Sequence, residues 1–462
     1  MADVHEKCAV FGVFGKNIDV SRLTFFGLYA LQHRGQEASG IATTDGSQLY
    51  CHKGIGLVAN VFDEESISAL KGYSAIGHNR YTTSGASDVK NAQPVLIEDV
   101  GIALAHNGNI PDTTALENFL HEHGVSHEEL NDSQMIAEAL AVHLRRGATL
   151  EDAVRTTYPL MTGVFSLLIM TKDALVAVRD SYGVRPLSIG TIDDAFVCAS
   201  ETCAFGPTGT TYLRDVEPGE MVVIDEQGMR SVVLEKGSVH LDLFEFVYFA
   251  RPDSELLGKS VYEVRKNFGV ELAKECSYDG DVVIPVPETS IPVAIGYAAA
   301  TGIPYEAGLT KNRYIHRTFI QPEQKTRERS VRMKLNPIHD VIRGKRVILI
   351  DDSIVRGTTS RALVNMIYQA GAKEITFLVS SPPVKYPDFY GIDTPQQKDL
   401  LASQKTIEEM REYLGVDHLC FLSLEGTIAA TGLPASSLCT ACFTGEYPVD
   451  IGNKKASVKK ID

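Results

Sequence analysis

Residues 347–360 read Val347-Ile348-Leu349-Ile350-Asp351-Asp352-Ser353-Ile354-Val355-Arg356-Gly357-Thr358-Thr359-Ser360. Four consecutive apolar residues rich in β-branching have the pattern of a buried strand. Two adjacent carboxylates follow, then a loop rich in hydroxyls with one glycine. Leu363, Met366, Ile367 and Ala370 then recur at helical spacing, and Gly371 is placed to end the helix. Strand, small-residue loop and helix N-terminus together form an anion site from backbone N–H groups and the helix dipole. No Gly-Lys-Ser/Thr follows, so this is not a Walker loop. An acidic helix cap after an ordinary strand explains one carboxylate. It does not explain two, an Arg and a Gly-Thr-Thr-Ser run. Paired acids ahead of a phosphate cradle suit a ligand that carries phosphate together with a diol or a metal.

Outward from this stretch, strands and helices alternate from about residue 260. Helices are expected at 260–276, 290–301 and 361–370, and strands at 281–286, 346–350 and 374–380. That alternation predicts a mainly parallel α/β sheet, whose ligands bind beyond the carboxyl ends of the strands. Asp351 and Asp352 stand at such an end. Between two of these elements lies a basic segment at 311–334, with Lys or Arg at 311, 313, 317, 325, 327, 329, 332 and 334. It reads either as a cover over an anionic ligand or as a solvated loop. Residues 8–235 differ. Strands are expected at 74–78, 101–105, 165–170, 175–179, 195–199 and 221–224, with helices near 23–33, 132–146 and 150–160. Many strands with grouped helices predict layered α+β. A looser charged stretch at 225–237 separates the halves, and the Lys-rich end, 448–462, is expected to be a flexible tail.

The chain has 462 residues, too many for one ordinary core. Its 44 basic and 59 acidic residues give a net charge of −15, which argues against nucleic-acid or membrane-surface partners. No apolar run approaches the ~20 residues of a membrane span. The first seven residues are charged and do not form a secretory signal. Eight Cys in this length are too sparse for a disulfide scaffold, so a reducing cytoplasm is the expected compartment.

Cys8 opens the first apolar strand behind only seven residues. By position it is either a buried strand cysteine or, once those residues are removed, a thiol beside its own α-amino group. An amine with a pKa of ~7.7–8.0 is a suitable general base for a thiol nucleophile. Three polar clusters accompany it: His33-Arg34-Gly35-Gln36-Glu37, Gly77-His78-Asn79-Arg80-Tyr81 and Ala105-His106-Asn107-Gly108-Asn109. Arg80 suits a carboxylate clamp, and Asn107 with the Gly108 N–H suits an oxyanion. Asp132 is either a helix N-cap or a ligand for an ammonium group.

With these residues in place, the amino-terminal half resembles an N-terminal-nucleophile (αββα) glutaminase. The 347–359 loop resembles the phosphoribosyl pyrophosphate (PRPP) signature of type I phosphoribosyltransferases. The two in this order resemble the glutamine PRPP amidotransferases, or amidophosphoribosyltransferases. The likeness runs from Cys8 to about Tyr447. It also covers Arg251-Pro252-Asp253-Ser254, Pro287-Glu288-Thr289-Ser290 and Tyr390-Gly391-Ile392-Asp393. The resemblance implies a propeptide at 1–7, a glutaminase domain at 8–235 and a phosphoribosyltransferase domain with its extension at 236–447. It implies transfer of the glutamine amide nitrogen to C1 of PRPP, giving 5-phosphoribosylamine, glutamate and pyrophosphate, the first step of de novo purine (IMP) biosynthesis. The nucleophile falls on Cys8, the oxyanion hole on Asn107 and Gly108, and the glutamine contacts on Arg80 and Asp132. Ser290, Asp351 and Asp352 match the positions handling Mg²⁺ and ribose. Arg356, Gly357, Thr358, Thr359 and Ser360 match the 5-phosphate cradle, and the basic 311–334 segment matches the lid. A homotetramer inhibited by purine nucleotides is also implied.

Two features depart from the family pattern. Lys7 stands before Cys8 where relatives with a propeptide often have Glu. One branch of the family holds a [4Fe–4S] cluster on four Cys. Cys439 and Cys442 match two of them, but Asp242 and Asp388 stand at the others. Carboxylates are harder ligands than thiolates. Three readings follow: no metal, a cluster with two Asp ligands, or another ion such as Zn²⁺. Cys51, Cys198, Cys203, Cys276 and Cys420 read as core. Two other functions compete with the implied one, a glutaminase feeding another acceptor and a PRPP-sensing regulator without chemistry. The PRPP-like loop argues against the first, and intact Cys8, Arg80, Asn107 and Asp132 argue against the second.

Overall fold

The computed structural model describes residues 8–80, 89–312, 333–390 and 396–461. The expected propeptide at 1–7, most of the expected lid at 311–334, Tyr81 and the 391–393 end of one family motif lie outside the described residues.

In the first half two antiparallel sheets, of seven and six strands, stack face to face. Strand β1 (Ala9–Phe14) lies beside β2 (Ser74–Arg80) in the seven-stranded sheet. In the six-stranded sheet β3 (Ile102–Asp112) pairs with β4 (Thr162–Met170). Strand β5 (Ala195–Ala199) flanks β1 on its other side. The period of two sorts β1 cleanly. Val10 and Phe14 point between the sheets toward Ala103, Ala105 and Leu168. Phe11 and Val13 point outward into the layer of helix α1 (Val20–Ala30). Gly27 lets α1 press on β1, because a Cβ there would come within 2.3 Å of the Phe11 ring. On the far side, α2 (Asp132–Arg145) and α3 (Leu150–Thr157) bury Ile136, Leu140 and Val154 against Leu104 and Leu167. Helix, sheet, sheet, helix is the expected αββα sandwich.

The two halves meet through short pieces. Strand β6 (Leu241–Asp242) follows the first half and pairs with a strand near the end of the chain. Helix α4 (Val261–Glu275) leads into β7 (Val282–Pro285) and α5 (Ile291–Thr301). Strand β8 (Arg346–Asp351), helix α6 (Thr358–Gln369), β9 (Glu374–Val379) and β10 (His418–Phe421) complete a parallel sheet in the order β7-β8-β9-β10. The partner of β6 is β11 (Leu438–Cys439). The apolar run of β8 is continuous because both faces of the sheet are covered. Ile348 and Ile350 face α4 and α5, while Val347 and Leu349 face α6. Burying each such side chain contributes ~1.5–3 kcal/mol. Among the described residues no helix is long and apolar enough to cross a membrane.

Several local expectations are corrected. Ala38–Thr44 and Leu49–Ile55 form a hairpin whose small and polar residues carry only a weak strand signal in the sequence. The stretch read as loose at 225–237 contains strand Gly228–Val233, a partly exposed edge beside Glu220–Asp225. Cys276 and Cys420, read as separate core residues, are joined in a disulfide between the end of α4 and β10. The end of the chain, expected to be flexible, is held. Val449 and Ile451 are buried with Val164, Val184 and Tyr390, and Ile461 N–H donates to Tyr386 Oη at 3.1 Å.

Candidate active sites

Cys8 is half-buried and immediately precedes β1. Two residues on, Val10 N–H donates to Ser200 Oγ at 2.9 Å, and Ser200 N–H donates back to Val10 O at 3.0 Å. Ser200 Oγ also accepts from Asn107 Nδ2 at 3.3 Å. The strand that Cys8 precedes is thus tied, across the two sheets, to Asn107. Asn107 is fully buried, and its Oδ1 has no hydrogen-bond partner among the described residues. Orphaned buried polar atoms are rare in proteins, and each calls for a partner such as a water, an ion or a ligand. Gly108 has φ +155°, and a Cβ there would lie 2.0 Å from Val164 O, so no larger residue fits.

Asp132 occupies the first turn of α2, but Asn131 is the N-cap and forms a capping box with Gln134. That resolves the two readings of Asp132 against the cap. Its Oδ2 instead accepts from Ile110 N–H at 3.3 Å, beside the Asn107–Gly108 end of β3. Arg80 ends β2 and donates to Asn91 O. Asn91 Oδ1 in turn accepts from Asn131 Nδ2 at 3.4 Å, so Arg80 and Asp132 approach the same region. Behind them His106 Nδ1 lies 3.7 Å from Asp132 Oδ2, and two further partners that the residue pattern did not reveal hold it. Gln93 Oε1 accepts from His106 N–H at 2.7 Å, and Ser133 Oγ lies 3.1 Å from His106 Nδ1. Burial pushes the His78 imidazole down to about 3, and the nearby Arg80 charge acts in the same direction.

In the second half Asp351 closes β8 and Asp352 follows, both buried. Burial pushes the Asp351 carboxyl up to about 6, with Asp352 acting in the same sense. Asp352 accepts from Thr289 Oγ1, and its other oxygen from Ser353 Oγ at 2.7 Å. Ser290 is fully buried, and its hydroxyl has no hydrogen-bond partner among the described residues. Two carboxylates and an orphaned hydroxyl on adjoining loops are an all-oxygen set that fits Mg²⁺, a hard cation that brings its own waters. Gly357, at φ +74°, is the N-cap of α6 and has no side chain with which to cap the first-turn amides. Arg356, Thr358, Thr359 and Ser360 adjoin that helix start in sequence.

Asp242, Asp388, Cys439 and Cys442 are all buried and near one another, with Asp242 opposite Cys439 in the β6–β11 pair. Burial first, then Asp388 and Glu245, push the Asp242 carboxyl up to about 7, against the pull of Arg185. Both thiols are pushed well above their ordinary value by burial and by the neighbouring carboxylates. Asp242 Oδ2 lies 3.1 Å from Arg185 Nη2, and its Oδ1 accepts from Phe244 N–H at 3.0 Å. Asp388 Oδ1 accepts from Tyr390 N–H at 2.7 Å. No three of the four bring donor atoms within 4.8 Å of one another, as one tetrahedral ion with ~2.3 Å bonds would require. A guanidinium already sits on the carboxylate that would have to ligate iron. These residues do not fit a single tetrahedral ion; Asp242 Oδ2, although 3.1 Å from the guanidinium, has no hydrogen-bond partner among the described residues. Among the described residues the trio that does bring its donor atoms that close is His33, Glu201 and Cys203, a potential metal-binding cluster. Its carboxylate accepts from Arg34, from Ser254 Oγ at 2.7 Å and from Arg251 N–H at 3.0 Å.

A four-layer half headed by a cysteine strand, followed by a parallel sheet with an acidic, hydroxyl-rich loop, defines a class: N-terminal-nucleophile glutamine amidotransferases fused to a phosphoribosyltransferase fold. A family model described as a glutamine amidotransferase domain matches residues 78–206. The amidophosphoribosyltransferase of Mycobacterium tuberculosis (strain H37Rv) is 46% identical over 469 residues, covering 99% of this chain and 89% of its own. That of Bacillus subtilis (strain 168) is 46% identical over 460 residues, covering 97% of this chain and 95% of its own. The solved glutamine PRPP amidotransferase from B. subtilis, complexed with ADP and GMP, superposes with a TM-score of 0.90 over 96% of this chain and 98% of that one, at 46% identity. The chain belongs to the amidophosphoribosyltransferase family.

Proposed function

We infer that the protein transfers the amide nitrogen of glutamine to C1 of PRPP, giving 5-phosphoribosylamine, glutamate and pyrophosphate, as the entry step of purine synthesis. Near full-length identity of 46% to amidophosphoribosyltransferases carries this conclusion.

The site geometry supports particular roles. Cys8 Sγ attacks the side-chain carbonyl of glutamine, and the oxyanion is held by Asn107 Nδ2 and the Gly108 N–H. Collapse expels ammonia and leaves a thioester, which water hydrolyses to glutamate and free thiol. Arg80 takes the substrate carboxylate and Asp132 its α-ammonium. Release of residues 1–7 would supply the Cys8 α-amino group as the base. In the second half, Asp351, Asp352 and Ser290 would hold Mg²⁺ and the ribose hydroxyls, and 356–360 would hold the 5-phosphate. Bound Mg²⁺ supplies charge neutralisation for the departing pyrophosphate. The protein groups position C1 for ammonia, and positioning suffices because the leaving group is already good. The division near residue 235 separates these two chemistries.

The B. subtilis protein was solved in complex with ADP and GMP, which supports purine nucleotides as ligands and inhibitors of this chain; the homotetramer rests on the family resemblance alone. The quartet around Cys439 works without metal. The deciding assay measures glutamate and pyrophosphate from glutamine and PRPP, with wild type and Cys8→Ala. Equal yields of both products are expected from wild type. Cys8→Ala is expected to lose glutamine use and keep ammonia use. Glutamate without pyrophosphate would refute the reading.

A further inference from the structure

Ser200 and Glu201 are consecutive, yet they serve different halves of the protein. Ser200 Oγ accepts from Val10 N–H at 2.9 Å and from Asn107 Nδ2 at 3.3 Å. It therefore spends one of the two Nδ2 hydrogens and leaves the other for an oxyanion. Glu201, fully buried, has its carboxylate shared across the seam. On the first half it accepts from Arg34 and lies 2.7 Å from His33 Nε2. From beyond the boundary it accepts Ser254 Oγ at 2.7 Å and Arg251 N–H at 3.0 Å. Arg34 passes the connection on to Glu245, which Arg185 also contacts at 2.8 Å.

We propose that Ser200 and Glu201 are positioning residues through which docking of the second half, at Ser254 and Arg251, sets the Asn107 amide and the Cys8 strand for glutamine hydrolysis. Neither touches substrate; each acts through a neighbour. The physical reason is that Ser200 can move only as far as Glu201 allows. A buried carboxylate holding a guanidinium, a hydroxyl and an amide is costly to displace. The catalytic geometry is then a property of the assembled chain, not of the first half alone. This rests on the function inferred above.

The test uses the full-length protein and compares glutamine-dependent with ammonia-dependent product formation. Ser200→Ala is expected to lower kcat with glutamine about 10- to 100-fold. KM for glutamine and the ammonia-dependent rate should each stay within about twofold. Ser200→Thr, which keeps the oxygen, is expected to recover most of the loss. Ser254→Ala, outside the first half, is expected to lower kcat with glutamine about fivefold and leave the ammonia rate intact. Unchanged kcat with glutamine in both alanine variants would overturn the proposal. So would an equal loss with both nitrogen donors, which marks a general structural defect, or a change confined to KM. Failure of the inferred function itself would appear differently, as wild type making no pyrophosphate with either donor.

Discussion

Arg185 Nη2 lies 3.1 Å from Asp242 Oδ2, and neither side chain is more than 2% exposed. At the position where cluster-bearing relatives carry a thiolate, this chain keeps an internal ion pair. Protein purified without oxygen is therefore expected to be colourless, with no stoichiometric iron or acid-labile sulfide. Asp242→Ala is expected to destabilise by about 2 kcal/mol in chemical denaturation, since Arg185 retains Glu245 as a partner. Stoichiometric iron in the wild type would contradict both statements.

Asp352 receives hydroxyls from Thr289 and Ser353 and stands beside Asp351. Asp352→Asn keeps the shape and removes the charge. Pyrophosphate release should fall about 100-fold or more with glutamine and with ammonia alike, and a Mg²⁺ titration should shift to higher concentration. An unchanged Mg²⁺ requirement would exclude Asp352 from that site.

Gly357→Ala tests the phosphate loop. The residue has φ +74°, and a Cβ would approach Leu401 Cδ2 to 2.6 Å. The left-handed conformation costs an alanine ~1–2 kcal/mol, and the loop must shift besides. KM for PRPP should rise about tenfold, which corresponds to ~1.4 kcal/mol. Basal glutaminase turnover should not change.

His78 gives a pH dependence with a definite sign. Its folded pKa is pushed down to about 3, against ~6.5 in the unfolded chain. Between those values the unfolded state binds more protons, so stability rises with pH across that range. It is lost as pH falls below ~6.5, by about 2 kcal/mol at pH 5. The urea midpoint should therefore drop from pH 7 to pH 5, and His78→Asn should flatten part of that drop. A midpoint rising toward pH 5 would refute the assignment.

Much of the second half could be read without coordinates. Residues 347–350 form one continuous apolar run because both faces of β8 are buried, and helices 260–276 and 290–301 were placed to within a residue or so. The first half was read less completely. Residues 38–55 are small and polar, and their strands exist because the rest of the sheet supplies the pairing. The same holds for Asp132, whose two readings were separated only when Asn131 proved to cap the helix.

Local pattern determined the chemistry present in each half: a cysteine at the head of a strand, and two acids ahead of a hydroxyl-rich helix start. Strand and helix periods are short-range, so residues a few positions apart suffice to express them. Tertiary structure alone decided which distant groups share a charge or a hydrogen bond. Arg185 with Asp242, Ser200 with Asn107, and Glu201 with Ser254 are separated by tens of residues or more. Burial makes such pairings strongly favoured once the fold exists, because an unpaired buried polar group is costly. The sequence shows no period by which that pairing could be found.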